Sequence, residues 1–292
     1  MNLYSSKEMT DLLERNDFFF KKNLGQNFLM NESIAARIAD ASYETVPKNK
    51  KSLAIEIGPG AGSLTLQLAH RFDSVLALEI DPHLIGVLAE SLADENNVKV
   101  IQTDALEFDF SSVEKDYPEH SIAVCSNLPY YITSEIIMKL LESGLQITSV
   151  TVLIQKEAAV RLTSKPGSEQ YGAITAAVNY YAKSEKLFTV GPGNFIPRPK
   201  VDSAVLRLTP YSEPAVKVND VKLFFKLIRA AFGNRRKTLS NALSSALKDS
   251  FSKEAILTAL EDSHVDPIRR GETLTLEEFA RIADNLSTKE VK

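Results

Sequence analysis

Asn127-Leu-Pro-Tyr130 places a carboxamide, a proline-restrained turn and an aromatic ring directly after an apolar run. The Asn127 side-chain oxygen and the Leu128 carbonyl are two hydrogen-bond acceptors, suited to a partner that carries two N–H groups. The Tyr130 ring can stack on a flat partner. As bare sequence, Asn-x-Pro-Tyr also serves as an ordinary strand-to-helix turn. Upstream, Gly58, Gly60 and Gly62 alternate with Pro59 and Ala61. Glycines let a backbone approach a ligand closely, and a helix that follows them offers unpaired N–H groups. Glu79 and Asp104 stand at the ends of the next two apolar runs. An acid about twenty residues beyond such a loop accepts hydrogen bonds from ribose hydroxyls in nucleoside-binding folds. Asp104 can accept from the amino group of a purine, or cap the turn that follows it.

These residues need a scaffold that brings strand ends together. Leu53-Ala-Ile-Glu-Ile57 is a buried-strand pattern, and Ser63-Leu-Thr-Leu-Gln-Leu-Ala69 has helical spacing, which makes the opening βα unit of a doubly wound fold. Further strands are expected at 74–80, 98–102, 121–126 and 148–154. Asp81-Pro82 reads as an N-cap and N1 proline, Asn31 caps a helix at 32–41, and Thr133 or Ser134 caps a helix at 135–141. The segments 184–190 and 203–209 are expected as a closing antiparallel pair, joined by a long Pro-rich loop. A polar linker near 210 is followed only by helical patterns, at 221–232, 238–247, 253–260 and 276–286. The expected fold class is therefore α/β, a Rossmann-like domain at 1–210 with a small all-helical domain at 211–292.

Bulk properties limit the choices. A chain of 292 residues, 44% hydrophobic and 25% charged, has the composition of a globular protein of about two domains. No stretch of about 18 apolar residues occurs, and the beginning of the chain lacks signal-peptide blocks. The single cysteine, Cys125, lies in an apolar run and can form no internal disulfide, as in a reducing compartment. The four histidines are scattered without ligand spacing, so no metal is expected. A net charge of −4 argues against nucleic-acid binding by bulk charge, so any such binding must rest on local patches.

The loop is G-x-G-x-G rather than the dinucleotide pattern G-x-G-x-x-G, which disfavours a nicotinamide-dependent dehydrogenase. It is similar to motif I of S-adenosylmethionine-dependent methyltransferases. With such a donor, the turn at Asn127 suits an exocyclic amine such as adenine N6. That nitrogen is a poor nucleophile because its lone pair is delocalised into the ring. Two acceptors favour a more pyramidal, more nucleophilic nitrogen, and alignment of the reactants can supply up to ~7–11 kcal/mol of the barrier.

Five segments extend this resemblance over nearly the whole chain. They are Asn23-Leu-Gly-Gln-Asn-Phe-Leu29, the glycine loop, Asn127-Leu-Pro-Tyr-Tyr131, Phe195-Ile-Pro-Arg-Pro-Lys-Val-Asp-Ser203 and Phe232-Gly-Asn-Arg-Arg-Lys-Thr-Leu239. In this order they resemble the ribosomal RNA adenine N6,N6-dimethyltransferases of the KsgA family. The resemblance implies S-adenosylmethionine as methyl donor, and two neighbouring adenosines near the 3′ end of small-subunit ribosomal RNA as substrate. It also implies that Asn27 and Leu29 close over the donor, with Gly58, Gly60, Glu79, Asp104 and Asn127 completing its site. Catalysis falls to Asn127, Leu128 and Tyr130. Phe195 is expected as the second wall of an aromatic sandwich around a flipped-out base, although a plain core role also suits it. Phosphate contacts are expected from Lys21, Lys22, Arg198, Lys200, Arg235, Arg236 and Lys237, though a basic run is also a common solvated face. A cytoplasmic monomer acting on a pre-ribosomal 30S particle completes the expectation. Two rivals are a sister family that methylates one adenine of large-subunit ribosomal RNA, and a non-catalytic assembly factor.

Overall fold

The computed structural model describes residues 1–20 and 25–288. Lys21 and Lys22, expected on a basic surface, and Asn23 and Leu24 of the first motif lie outside the described residues. The chain divides into two compact units, one of Met1–Ala159 with Ser184–Pro210, the other of Val160–Lys183 with the chain from Tyr211 onward.

The first unit begins with α1 (Ser6–Arg15), the short strand β1 (Phe28–Leu29) and α2 (Glu32–Tyr43), which Asn31 caps by accepting from the Ile34 N–H. β2 (Lys51–Ile57), α3 (Ser63–Ala69), β3 (Ser74–Glu79), α4 (Pro82–Ser91) and β4 (Val98–Gln102) follow in βαβ order. Asp81 caps α4 through the His83 N–H, with Pro82 in the first turn as its sequence predicts. After a short α5 (Val113–Asp116) come β5 (His120–Asn127), α6 (Thr133–Glu142), β6 (Ile147–Gln155) and α7 (Lys156–Leu162). Thr133 is the first helical residue of α6 rather than its cap, because its hydroxyl donates back to the Pro129 carbonyl at 3.2 Å. Next along the chain come α8 (Ala173–Tyr181), which belongs to the second unit, and then β7 (Ala182–Val190), β8 (Phe195–Ile196) and β9 (Ser203–Pro210).

Among the described residues, seven strands form one sheet in the order β4-β3-β2-β5-β6-β9-β7. The pairs β4–β3, β3–β2, β2–β5 and β5–β6 are parallel, and β9 runs antiparallel to β6. The buried, Val/Ile/Leu/Ala-rich faces of β2, β3 and β5 are those of a sheet covered on both sides. Chain direction across the sheet switches between β2 and β5. A doubly wound sheet opens a ligand crevice at that point, outside the carboxyl ends of its strands. A separate antiparallel pair, β1 with β8, joins Phe28 to Ile196 and Leu29 to Phe195. Sequence pattern does not reveal a pairing so short and so distant.

The second unit contains α9 (Val221–Phe232), α10 (Leu239–Ala246), α11 (Lys253–Asp262) and α12 (Leu276–Ser287), close to the four helical patterns in the sequence. Residues 160–183, which the sequence pattern assigns to the first domain, belong here. Tyr171, Ala176 and Tyr180 are buried in one cluster with Phe224, Leu227 and Phe279, and the Tyr180 and Phe224 rings lie 5.1 Å apart. Helical periodicity shows that α8 has an apolar face, but not which core that face enters. No described helix is long and apolar enough to cross a membrane.

Candidate active site

A cavity opens at the carboxyl ends of β2, β3, β4 and β5. Its wall includes Asn27, Leu29, Gly58, Gly60, Glu79, Asp104, Asn127, Leu128 and Tyr130, nine residues that the sequence singles out.

The glycine loop is shaped by close contacts. Gly60 has φ +61°, and a Cβ there would lie 2.9 Å from the Phe28 ring, so the first-strand arm rests directly on the loop backbone. Gly62, at φ +91°, starts α3 against α4, where a Cβ would meet the Ser91 hydroxyl at 3.0 Å. The loop is also tied from below. Glu79, only 3% exposed, accepts from the Gly60 N–H at 3.3 Å and from the Asp81 N–H at 2.8 Å. Burial raises its pKa, and those N–H groups oppose the rise. Asp104 does cap its turn, accepting from the Leu106 N–H at 2.8 Å, while it also lines the cavity.

The turn after β5 is held on three sides. The Leu128 N–H donates to the Leu153 carbonyl at 3.1 Å, carrying the sheet ladder past the strand end. The Tyr130 and Ser203 hydroxyls share a 2.8 Å hydrogen bond that fixes the ring from β9, and burial raises the Tyr130 pKa. The Asn127 carboxamide donates to the Asn27 carbonyl at 2.8 Å, while the Asn27 side chain donates to the Gly25 carbonyl at 2.8 Å. The arm and the turn therefore meet at the cavity wall.

Phe195 does not line this cavity. It is 3% exposed and sits in an apolar cluster with Leu29, Ile38, Val190 and Val205. Its pairing with Leu29 in the β1–β8 ladder turns the ring into the core, contrary to its expectation as a base-stacking wall. Arg198 and Lys200 are exposed, as are Arg235, Arg236 and Lys237. Arg235 differs from its two neighbours. Its guanidinium donates to the Glu169 and Tyr171 carbonyls at 2.8 and 3.2 Å and lies 3.8 Å from Glu272. Among the described residues no group of three or more His, Cys, Asp or Glu side chains is arranged to hold a metal ion.

Several cavity residues escape the sequence motifs. Glu56 is the most telling: it is 1% exposed, lines the cavity, and its Oε2 has no hydrogen-bond partner among the described residues. Burial pushes its pKa up to about 8. A single acid inside the apolar run Leu53–Ile57 is the signal that could have found it. Gln26, whose amide donates to Asp81 at 3.1 Å, and Tyr131 also line the cavity.

A profile of the ribosomal RNA adenine dimethylase family matches residues 17–282. This chain belongs to that family. Among its relatives is the ribosomal RNA small subunit methyltransferase A of Alkaliphilus oremlandii, 45% identical over 287 residues and covering 98% of both chains. The protein of the same name from Geobacillus thermodenitrificans is 47% identical over 279 residues, 94% of each. Among solved structures, the 23S rRNA methyltransferase ErmE superposes with a TM-score of 0.66 at 28% identity, over 89% of this chain and all of that one. A dimethyladenosine transferase from Plasmodium falciparum gives 0.72 at 24% identity, over 87% and 95%, a likeness of fold. The enzyme is accordingly an S-adenosylmethionine-dependent ribosomal RNA adenine dimethyltransferase. The cavity fits that donor. An orphaned carboxyl oxygen of Glu56 suits an ammonium group, and two further carboxylates, Glu79 and Asp104, suit a nucleoside.

Proposed function

We propose that the enzyme dimethylates N6 of two adjacent adenosines near the 3′ end of small-subunit (16S) ribosomal RNA. It acts as a cytoplasmic monomer on a pre-ribosomal 30S particle. The observation that carries this reading is the convergence of the glycine loop, Glu79, Asp104 and the Asn127–Tyr130 turn on one cavity. Identities of 45–47% to proteins named for the small subunit, against 28% to a 23S enzyme, favour the small-subunit substrate over its sister.

S-adenosylmethionine, when bound, supplies an electrophilic methyl group. Glu79, at the end of β3, accepts from ribose hydroxyls with the lone pairs left over from Gly60 and Asp81. Asp104 accepts from the purine amino group, Gly58 and Gly60 bring backbone close to the ligand, and Asn27 and Leu29 close the cavity from the arm. Asn127 Oδ1 and the Leu128 carbonyl accept the two N–H groups of the target adenine, and Tyr130 stacks on its ring. The attacking nitrogen becomes acidic only as it gains the methyl, so its proton passes to water without a strongly basic side chain. Arg198, Lys200, Arg236 and Lys237 contact RNA phosphates from the surface. Arg235, bonded within its own unit, has a smaller share. Incubation with labelled S-adenosylmethionine and small subunits lacking the modification should yield N6,N6-dimethyladenosine in 16S ribosomal RNA. Label confined to large-subunit RNA, or to monomethyladenosine, would contradict the proposal.

A further inference from the structure

We propose that the N-terminal arm orients the catalytic amide: the main-chain carbonyl of Asn27 locks the Asn127 carboxamide with its oxygen presented to the base. This rests on the reading that Asn127 Oδ1 accepts from adenine N6. A carbonyl can only accept, and a carboxamide has one accepting and one donating end. The 2.8 Å contact between Asn127 and the Asn27 oxygen therefore admits a single orientation. The flipped amide would set two oxygens against each other and turn its N–H groups toward an adenine amine that also donates. The carbonyl sits on a braced segment. The Asn27 side chain donates to the Gly25 carbonyl at 2.8 Å, and the next two residues, Phe28 and Leu29, are paired to Ile196 and Phe195. Asn27 is thus a positioning residue through its backbone, and the arm contributes to the chemical step as well as to enclosing the cavity.

The test is Asn127→Asp. The carboxylate of this variant is an isosteric and stronger acceptor, but it has no N–H for the Asn27 carbonyl. Protonation of that carboxylate restores both ends, one donating and one accepting. At saturating donor, methylation of unmodified small subunits by this variant should fall roughly 100-fold at pH 8. Relative to the wild-type rate at each pH, the rate should then rise by up to about tenfold per unit as pH is lowered towards the carboxyl pKa. An unfolding transition close to that of the wild type, followed by circular dichroism, reports that the variant is folded. A rate near that of the wild type at every pH in Asn127→Asp, beside an inactive Asn127→Ala, overturns the lock and leaves Asn127 as an acceptor. Wild-type activity in Asn127→Ala overturns the reading beneath it, and the lock with it. In the wild-type protein, a coupling across the hydrogen bond from the Asn127 side-chain nitrogen to the Asn27 carbonyl carbon should be measurable by NMR. Its absence in the donor-bound enzyme also overturns the lock.

Discussion

Tyr130 and Phe195 look equivalent in sequence, each an aromatic beside prolines and small polar residues, and the structure treats them differently. Tyr130 lines the cavity, half-buried, with its hydroxyl tied to Ser203. Phe195 is buried among Leu29, Ile38 and Val205. The difference teaches where a motif can be trusted to point. Tyr130 lies three residues beyond the end of a central parallel strand, and topology alone delivers that place to the crevice. Phe195 lies in a long loop, where its direction is set by whichever segment pairs with it, here Leu29 of the arm.

Phe195→Ala should break the comparison hardest. Removing a fully packed phenylalanine costs about 3–5 kcal/mol, read as a lower denaturation midpoint, and donor affinity should weaken because Leu29 of the arm loses its packing against that ring. Intact stability with selective loss of RNA methylation would restore Phe195 as a base-stacking wall.

Asn127→Ala comes next. Loss of one aligned transition-state hydrogen bond lowers the rate at saturating donor by about 10²–10³, read by steady-state kinetics. Tyr130→Ala should act on the RNA side of the same site. Base–aromatic stacking of about 1–3 kcal/mol should be lost from kcat/KM for the subunit, with a smaller stability change than for Phe195.

Glu56 sharpens the contrast between chemistry and packing inside the cavity. Its carboxyl has a pKa raised from 4.5 to about 8, so the folded state holds a proton that the unfolded state has released across that interval. Stability should therefore decline as pH rises through this window, by up to about 1.4 kcal/mol per unit. Glu56→Gln should remove that decline, leaving the variant relatively more stable at pH 8 and about equal near pH 4.5, measured by denaturant unfolding.

The smallest effects belong to the basic surface. Arg236→Ala and Lys237→Ala should each reduce the salt dependence of subunit binding by a slope of about 0.7. Arg235→Ala should change that slope less and lower stability instead, since it loses bonds to Glu169 and Tyr171. Equal slopes for all three would make Arg235 an RNA contact like its neighbours.

The parallel strands, the caps at Asn31 and Asp81, the glycine loop and the Asn127 turn were legible because each rests on local chemistry. Periodicity identifies buried strands, a cap needs one side chain near its own helix, and a G-x-G-x-G loop needs backbone freedom at its own residues. Glu56 was less legible, since one acid in an apolar strand does not say which cavity it faces. The allegiance of residues 160–183 and the packing of Phe195 were illegible, because both depend on which of several apolar surfaces a segment meets.

By itself the sequence determined the order of the sheet's seven strands and the main helices, the family and the residues that gather at the ends of β2, β3, β4 and β5. All of these follow from short-range spacing and from the rule that a doubly wound sheet binds at its switch point. Tertiary structure alone decided that the arm lies on Gly60, that its Asn27 carbonyl meets the Asn127 amide, and that Phe195 faces inward. The physical reason is separation along the chain. Such contacts are chosen by shape and by the satisfaction of buried polar groups once the sheet has formed, and residue spacing along the chain does not encode them.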